Sequence, residues 1–212
     1  MRRAHADWGQ PAHADWGQPV LILLRHGQTE ANASGLYQGR SDRALTGAGE
    51  AQARAAALVL AGVARVVSSP LLRATQTAEA LGLGVAVEID QRWIEMDYGR
   101  LDGQPVNSPE PEELDRWRGD VDYAPGGGES LAVVGARVRS ACSDLAEEAA
   151  HCDVLVVSHV SPIKAAVAWA LGAGDEAAWR MFLGVAAICR VNTSGPVPSL
   201  VSFNERGHLS GS

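Results

Sequence analysis

The chain has 212 residues and a mass of 22.3 kDa, with 46% hydrophobic and 20% charged residues, enough to bury one core and too short for two ordinary domains. A net charge of -7 and a pI near 5.3, with no basic stripe or Lys/Arg run, argue against a nucleic-acid or membrane-surface binder. The three cysteines, Cys142, Cys152 and Cys189, lack C-x-x-C spacing and read as reduced thiols rather than a disulfide framework or zinc site, and no window of about 18 apolar residues exists. Met1-Arg2-Arg3 is followed by polar sequence rather than a signal-peptide apolar stretch, so a soluble, cytoplasmic protein is expected.

In chain order, AHADWGQP at 4–11 recurs unchanged at 12–19. The repeat is too short for a solenoid, and residues 1–19 are expected to form a flexible tail in which His5 and His13 have no catalytic role. The domain proper runs over 20–212. The apolar run Val20 to Leu24 predicts a buried strand whose C-terminal end delivers Arg25 and His26, with Gly27 close behind. An adjacent guanidinium and imidazole at a strand end make an anion site with a nucleophile in it, although for the bare Arg-His-Gly triplet a solvated strand end is the favoured reading.

Thr46 is placed to cap an alanine-rich helix running to about Ala61. Arg65 to Val67 predicts a short strand ending in Ser68-Ser69-Pro70, followed by a helix over Leu71–Leu81 and a strand over Val85–Glu88. The span Asp97 to Pro125, rich in Pro, Gly and acidic residues, predicts an irregular lid. A long helix over Glu129–Ala149 follows the Gly126-Gly127-Gly128 turn. Val154 to Val157 is a second buried strand, Pro162 sits in the first turn of a helix reaching about Leu171, and Val185–Val191 and Ser199–Phe203 read as closing strands. This alternation predicts an α/β fold of three layers, with a largely parallel central sheet flanked by helices.

Four segments in order carry the chemistry: LLRHGQTEAN (23–32), SSPLLRATQTAE (68–79), WIEMDYGRLDG (93–103) and VVSHVSPIK (156–164). From about Val20 to about Leu209 the chain resembles the histidine phosphatase superfamily, also called the phosphoglycerate mutase-like family, whose fold is the three-layer one expected above. The resemblance implies that His26 is the nucleophile that becomes phosphohistidine, and that Arg25, Arg73 and His159 complete the phosphate pocket. Guanidiniums suit that task because they grip phosphate oxygens bidentately, and positive neighbours keep the His26 nitrogen unprotonated for attack. Glu95 matches the family's general acid and later base, with a carboxyl pKa expected to rise beside the departing charge, and Asp97 is the fallback. Strand alternation would put Glu95 and Asp97 on one face. Asn32 and Gln38 correspond to positions that hydrogen-bond phosphate or substrate, and the backbone amides of Gly27 and Thr29 are candidates for the anion hole.

Other features have plainer readings. The glycine run lacks the Lys-Ser/Thr of a P-loop, so ATP binding is not indicated, and Glu129 is equally well a helix N-terminal carboxylate. Trp169 and Trp179 read as core or rim aromatics, His151 as a helix-end residue and His208 as part of a tail. Val160-Ser161-Pro162 departs from the glycines that many family members carry after the second histidine. Together with Ile163-Lys164 it resembles the acid phosphatase domain found behind ribonuclease H in actinobacterial proteins, without the ribonuclease H domain.

The short stretch from Met96 to Ser158 resembles the compact phosphatase branch rather than the longer mutases. The expected activity is therefore phosphomonoester hydrolysis of a small-molecule substrate without metal or cofactor. α-Ribazole phosphate, sugar phosphates and phosphoglycerate-derived glycosides all remain open as substrates, and a phosphohistidine-protein phosphatase is less favoured because those relatives are smaller. A mutase-type phosphotransferase, a phosphoester-binding module without catalysis and an interaction module using the acidic lid are the alternatives. Asp102, Asn107, Glu110, Glu112, Arg116, Trp117 and Arg118 are expected to shape the non-phosphate part of the substrate. Oligomeric state stays open.

Overall fold

Six strands form one sheet in the order β3-β2-β4-β1-β5-β6: β1 (Leu21–Arg25), β2 (Arg65–Ser68), β3 (Val87–Ile89), β4 (Val154–Ser158), β5 (Ile188–Asn192) and β6 (Ser199–Glu205). This is a computed structural model, and it describes residues 18–210. The expected tail, apart from Gln18 and Pro19, lies outside the described residues. Strands β3, β2, β4 and β1 pair in parallel, while β5 runs antiparallel to both β1 and β6. The sheet is therefore mixed and largely parallel, as the alternation of elements predicts.

Strand pleating explains the three layers. Leu21 and Leu23 of β1 and Val154 and Val156 of β4 face one core with the helices α5 (Leu131–Ala149) and α6 (Val160–Ala170). Ile22, Leu24, Leu155 and Val157 face the other core, against α2 (Gly47–Ala57) and α3 (Leu72–Ala80), the helix α1 (Glu30–Ala33) being a single turn after β1. A strand buried on both faces has to be apolar at every position, and this is why β1 and β4 read as continuous runs rather than alternating ones.

Several boundaries differ from the sequence reading for local reasons. Thr46 does cap α2, its side chain accepting the Gly49 amide at 3.1 Å. The α-helix stops at Ala57, not Ala61, because Leu58, Val59 and Leu60 donate to Ala55, Ala56 and Ala57 in tightened i to i−3 bonds. The strand expected from Val185 begins at Ile188, since Ala186 takes a left-handed φ of 51° that breaks the extended run. The lid is not irregular throughout: Pro111–Gly119 is the helix α4, with Pro111 tolerated in its first turn and Trp117 buried against the core. His208 is not in a loose tail, for it lies in the 3-10 turn Gly207–Leu209 with Nε2 3.0 Å from the Ala186 carbonyl. Among the described residues no helix is long and apolar enough to cross a membrane.

Candidate active site

Parallel pairing sets Arg25 opposite Ser158, so His26 and His159 are each the first residue beyond a neighbouring strand. The His26 amide donates to the Ser158 carbonyl at 2.9 Å, and the His26 carbonyl accepts the Ala186 amide at 3.1 Å, which fixes the backbone on both sides. The two imidazole centroids stand 5.1 Å apart. His26 Nδ1 lies 2.7 Å from the carbonyl of Gly27; a carbonyl only accepts, so Nδ1 carries the proton and Nε2 holds a lone pair. Gly27 is required here because a Cβ would collide with the Gly49 carbonyl of α2.

Arg73 enters from the first turn of α3 and is fully buried. Its Nε–H donates to His159 Nδ1 at 3.2 Å, and its terminal nitrogens donate to the carbonyls of Ser41 at 3.0 Å and Gly39 at 2.7 Å. With Nδ1 accepting, His159 Nε2 carries its proton toward Ser69 Oγ at 2.6 Å. Arg25 donates to the Leu183 carbonyl at 2.7 Å, while its Nε is buried without a partner. Among the described residues neither guanidinium has a carboxylate within ion-pair distance, so both positive charges stay available to an anion.

Burial is the main cause that lowers the pKa of both His26 and His159 well below the usual histidine value, reinforced by Arg73 and Arg25. Burial also draws Arg25 down to about 10 and lowers Arg73, with the Glu95 carboxylate as the largest opposing influence on each. Glu95 is thus the acid that both arginines sense. Its side chain is buried, and Oε1 accepts the amides of Met96 at 2.7 Å and of Ser161 at 3.2 Å, the latter in the first turn of α6. A helix N-terminus has unpaired amides to offer, and a carboxylate is their natural acceptor.

The remaining expected residues separate. Gln38 is buried and points Oε1 at Thr29 Oγ1, 2.6 Å away, leaving its amide nitrogen without a partner. Buried donors without acceptors are uncommon. Among the described residues they are Arg25 Nε, Gln38 Nε2, the indole nitrogens of Trp93 and Trp117 and the Thr193 hydroxyl, and the first two belong to residues read from the sequence as phosphate contacts. Asn32 closes a capping box with Thr29 and lines, with Arg25 and Arg206, a cavity of about 350 Å³.

The Gly27 and Thr29 amides are not free for an anion, because they donate to Thr77 Oγ1 at 3.0 Å and Asn32 Oδ1 at 3.1 Å. Asp97 does not share a face with Glu95. Residues 94–98 are not a strand, and Asp97 is turned outward, 3.9 Å from Arg40, where it accepts the Gly99 amide.

Of the lid residues, Trp117 is buried in a cavity wall, whereas Asn107, Glu110 and Glu112 are exposed. Arg116 and Arg118 lie over the rings of Tyr123 and Trp179. Asp102 braces the loop that holds Arg73, accepting the Ser41 amide and hydroxyl, both at 2.9 Å, and the Gly39 amide at 3.2 Å. Glu129 pairs with Arg40 and Arg137. Ser69 and Ala186 were not read as site residues, and Asp102, expected to shape the substrate, instead braces the Arg73 loop. Only Ser69 gave a signal, by standing in the segment that carries Arg73.

Comparison with known proteins follows the same lines. A family profile described as "Histidine phosphatase superfamily (branch 1)" matches residues 21–206. The bifunctional protein Rv2228c of Mycobacterium tuberculosis is 40% identical over 198 residues, which cover 89% of this chain and 54% of that protein. The chain thus spans about half the length of the first such relatives it matches. A glucosyl-3-phosphoglycerate phosphatase of Mycolicibacterium vanbaalenii is 40% identical over 166 residues, covering 72% of this chain and 74% of that one. Among solved structures, phosphoserine phosphatase of Entamoeba histolytica in complex with 3-phosphoglyceric acid aligns with a TM-score of 0.82 at 27% identity, covering 90% of this chain and 98% of that one. Family and relatives together support a phosphatase.

Proposed function

The chain belongs to the histidine phosphatase superfamily, and on that premise we propose that it is a metal-independent phosphomonoesterase acting through a phosphohistidine intermediate on a small phosphorylated metabolite. One observation carries this reading: the His26 ring is buried and neutral, its Nδ1–H held by Gly27, and its Nε2 lone pair stands in a pocket with two guanidiniums that have no carboxylate partner. The phosphatase names of the Mycolicibacterium and Entamoeba relatives point the same way.

In the proposed reaction Arg25 and Arg73, with the spare amide of Gln38, hold the phosphoryl oxygens and spread their charge. Asn32, beside Arg25, adds a side-chain donor on the same flank. His26 Nε2 attacks phosphorus, the bond from phosphorus to the ester oxygen breaks, and Glu95 gives its proton to the leaving alkoxide. Glu95 then takes a proton from water as that water attacks phosphorus, the P–N bond breaks, and inorganic phosphate leaves with His26 restored. His159 fixes Arg73 and offers the phosphate only a proton shared with Ser69.

The test is release of phosphate from p-nitrophenyl phosphate and a panel of small phosphomonoesters, with EDTA present, by wild type and His26→Ala. We expect turnover by wild type, a loss of at least about a thousandfold in the variant, and an acid-labile phosphoenzyme only in wild type. EDTA-sensitive turnover, or turnover that survives in His26→Ala, overturns the reading. Transfer of phosphate to a phosphoglycerate hydroxyl instead of water replaces it with a mutase.

A further inference from the structure

On the side of Glu95 the site adjoins a cavity of about 140 Å³ whose wall is aromatic. Tyr37, Tyr98, Trp117 and Trp179 contact one another in series, with centroids 5.2 Å apart for Tyr37 and Tyr98, 5.9 Å for Tyr98 and Trp117, and 4.9 Å for Trp117 and Trp179. Ser161 joins this wall to the acid, since its hydroxyl lies 3.0 Å from Tyr98 Oη and its amide holds Glu95. An ester seated with phosphorus at His26 and its bridging oxygen at Glu95 directs its alcohol part toward this cavity.

One charged side chain lines it. Lys164 stands on α6, one turn beyond Val160, and at this i, i+4 spacing both residues face the cavity. Its ammonium makes no hydrogen bond and has no carboxylate within ion-pair distance among the described residues. Burial lowers its pKa, Glu95 opposes this as the next influence, and Arg25 adds to the lowering, so the lysine sits within the electrostatic reach of the site. A mostly buried ammonium without a counter-ion is costly, and the cost is offset when a ligand brings the missing negative charge. Hydroxyls and aromatic faces supply no such charge, and no acidic residue lines the cavity.

We propose that Lys164 determines specificity by pairing with a carboxylate on the leaving alcohol, so that the preferred substrate is a phosphomonoester of a short hydroxy acid. This rests on the phosphatase reading above and names the substrate class of that same site. Aromatic walls that exclude water strengthen the pair, and a substrate lacking the carboxylate leaves the ammonium unmatched.

The test compares kcat/KM within two matched pairs, 3-phosphoglycerate against glycerol 1-phosphate and O-phosphoserine against O-phosphoethanolamine, for wild type, Lys164→Met and Lys164→Arg. Lys164→Gln replaces the Met variant if that fails to fold. We expect wild type to favour the carboxylate member at least tenfold in both pairs, the neutral variant to bring the ratio near one, and Lys164→Arg to keep most of the preference. No preference in wild type, or an equal loss for both members in the neutral variant, overturns the proposal. If wild type fails even on p-nitrophenyl phosphate, the phosphatase reading itself falls and this inference goes with it.

Discussion

The Nε–H of Arg73 points at Nδ1 of His159 from 3.2 Å, so a guanidinium and an imidazole that both face the candidate nucleophile also fix each other. Nδ1 can accept only while His159 is neutral, and burial beside Arg73 keeps it so. Two further Arg73 donors go to the carbonyls of Ser41 and Gly39, which fixes the plane of the guanidinium.

Arg73→Lys is expected to lower kcat/KM at least about a hundredfold. A lysine has no planar fork to reach His159, Ser41, Gly39 and a phosphate oxygen together. Steady-state kinetics on p-nitrophenyl phosphate decides it, and a loss smaller than tenfold removes Arg73 from the proposed phosphate pocket.

Ser69→Ala removes the acceptor of the His159 Nε2 proton. We expect kcat to fall about tenfold and the urea midpoint to drop, because the buried His159 Nε2–H and the Leu71 amide lose their acceptor, at a cost of about 1 to 3 kcal/mol. Full activity in this variant means that the Arg73 contact alone orients the ring.

Glu95→Gln separates the proposed acid from a merely structural carboxylate. General acid catalysis is worth roughly 10² to 10⁴, and an alkoxide leaving group needs it far more than p-nitrophenolate does. Turnover of glycerol 1-phosphate should therefore fall much further than turnover of p-nitrophenyl phosphate. Equal falls for the two esters count against Glu95 as the proton donor.

The two fully buried histidines of the site, both strongly depressed, couple stability to pH. Below the ordinary histidine value of 6.5 the unfolded chain takes up protons that folded His26 and His159 refuse, so stability present above pH 6.5 is lost as pH falls toward the folded values. Each histidine adds up to about 1.4 kcal/mol per pH unit to that slope. Urea unfolding at pH 7 and pH 5 should show the decline, and His26→Ala should show a shallower one. A slope unaltered in the variant contradicts a neutral His26.

Gly27→Ala tests the approach of α2 to the nucleophile loop. The added methyl meets a backbone carbonyl, not a movable side chain, so overpacking of about 1 to 3 kcal/mol is expected, together with loss of turnover. A variant of wild-type urea midpoint shows that the loop can yield.

What the sequence made readable was decided by how local each signal is. The runs at Leu21–Arg25 and Val154–Ser158 are apolar at nearly every position because both faces are covered, and Thr46 caps its helix through a neighbour three residues away. Arg25, His26, Arg73, Glu95 and His159 come together as the four ordered motifs imply.

What escaped depends on partners distant in sequence. The orientation of Glu95 depends on an amide 66 residues away, and the acceptor of the His159 Nε2 proton is a serine 90 residues away. Strand alternation misled at Asp97 because no neighbouring strand holds Ile94 to Tyr98 extended. In the lid, Pro111 was counted as a loop former although it begins α4, and the spacing of Leu114 and Trp117 already marked one helical face.

The register that sets Arg25 against Ser158 also has a kinetic meaning, since most of the chain must be threaded between two strands that end up as neighbours. Pairs such as β2 with β3 and β5 with β6 close short loops, but the pair that aligns the two histidines is among the most distant in sequence. During refolding, helical signal and local strand pairing should therefore return before turnover does. Collapsed intermediates of this chain would hold all the proposed catalytic residues and yet be inert.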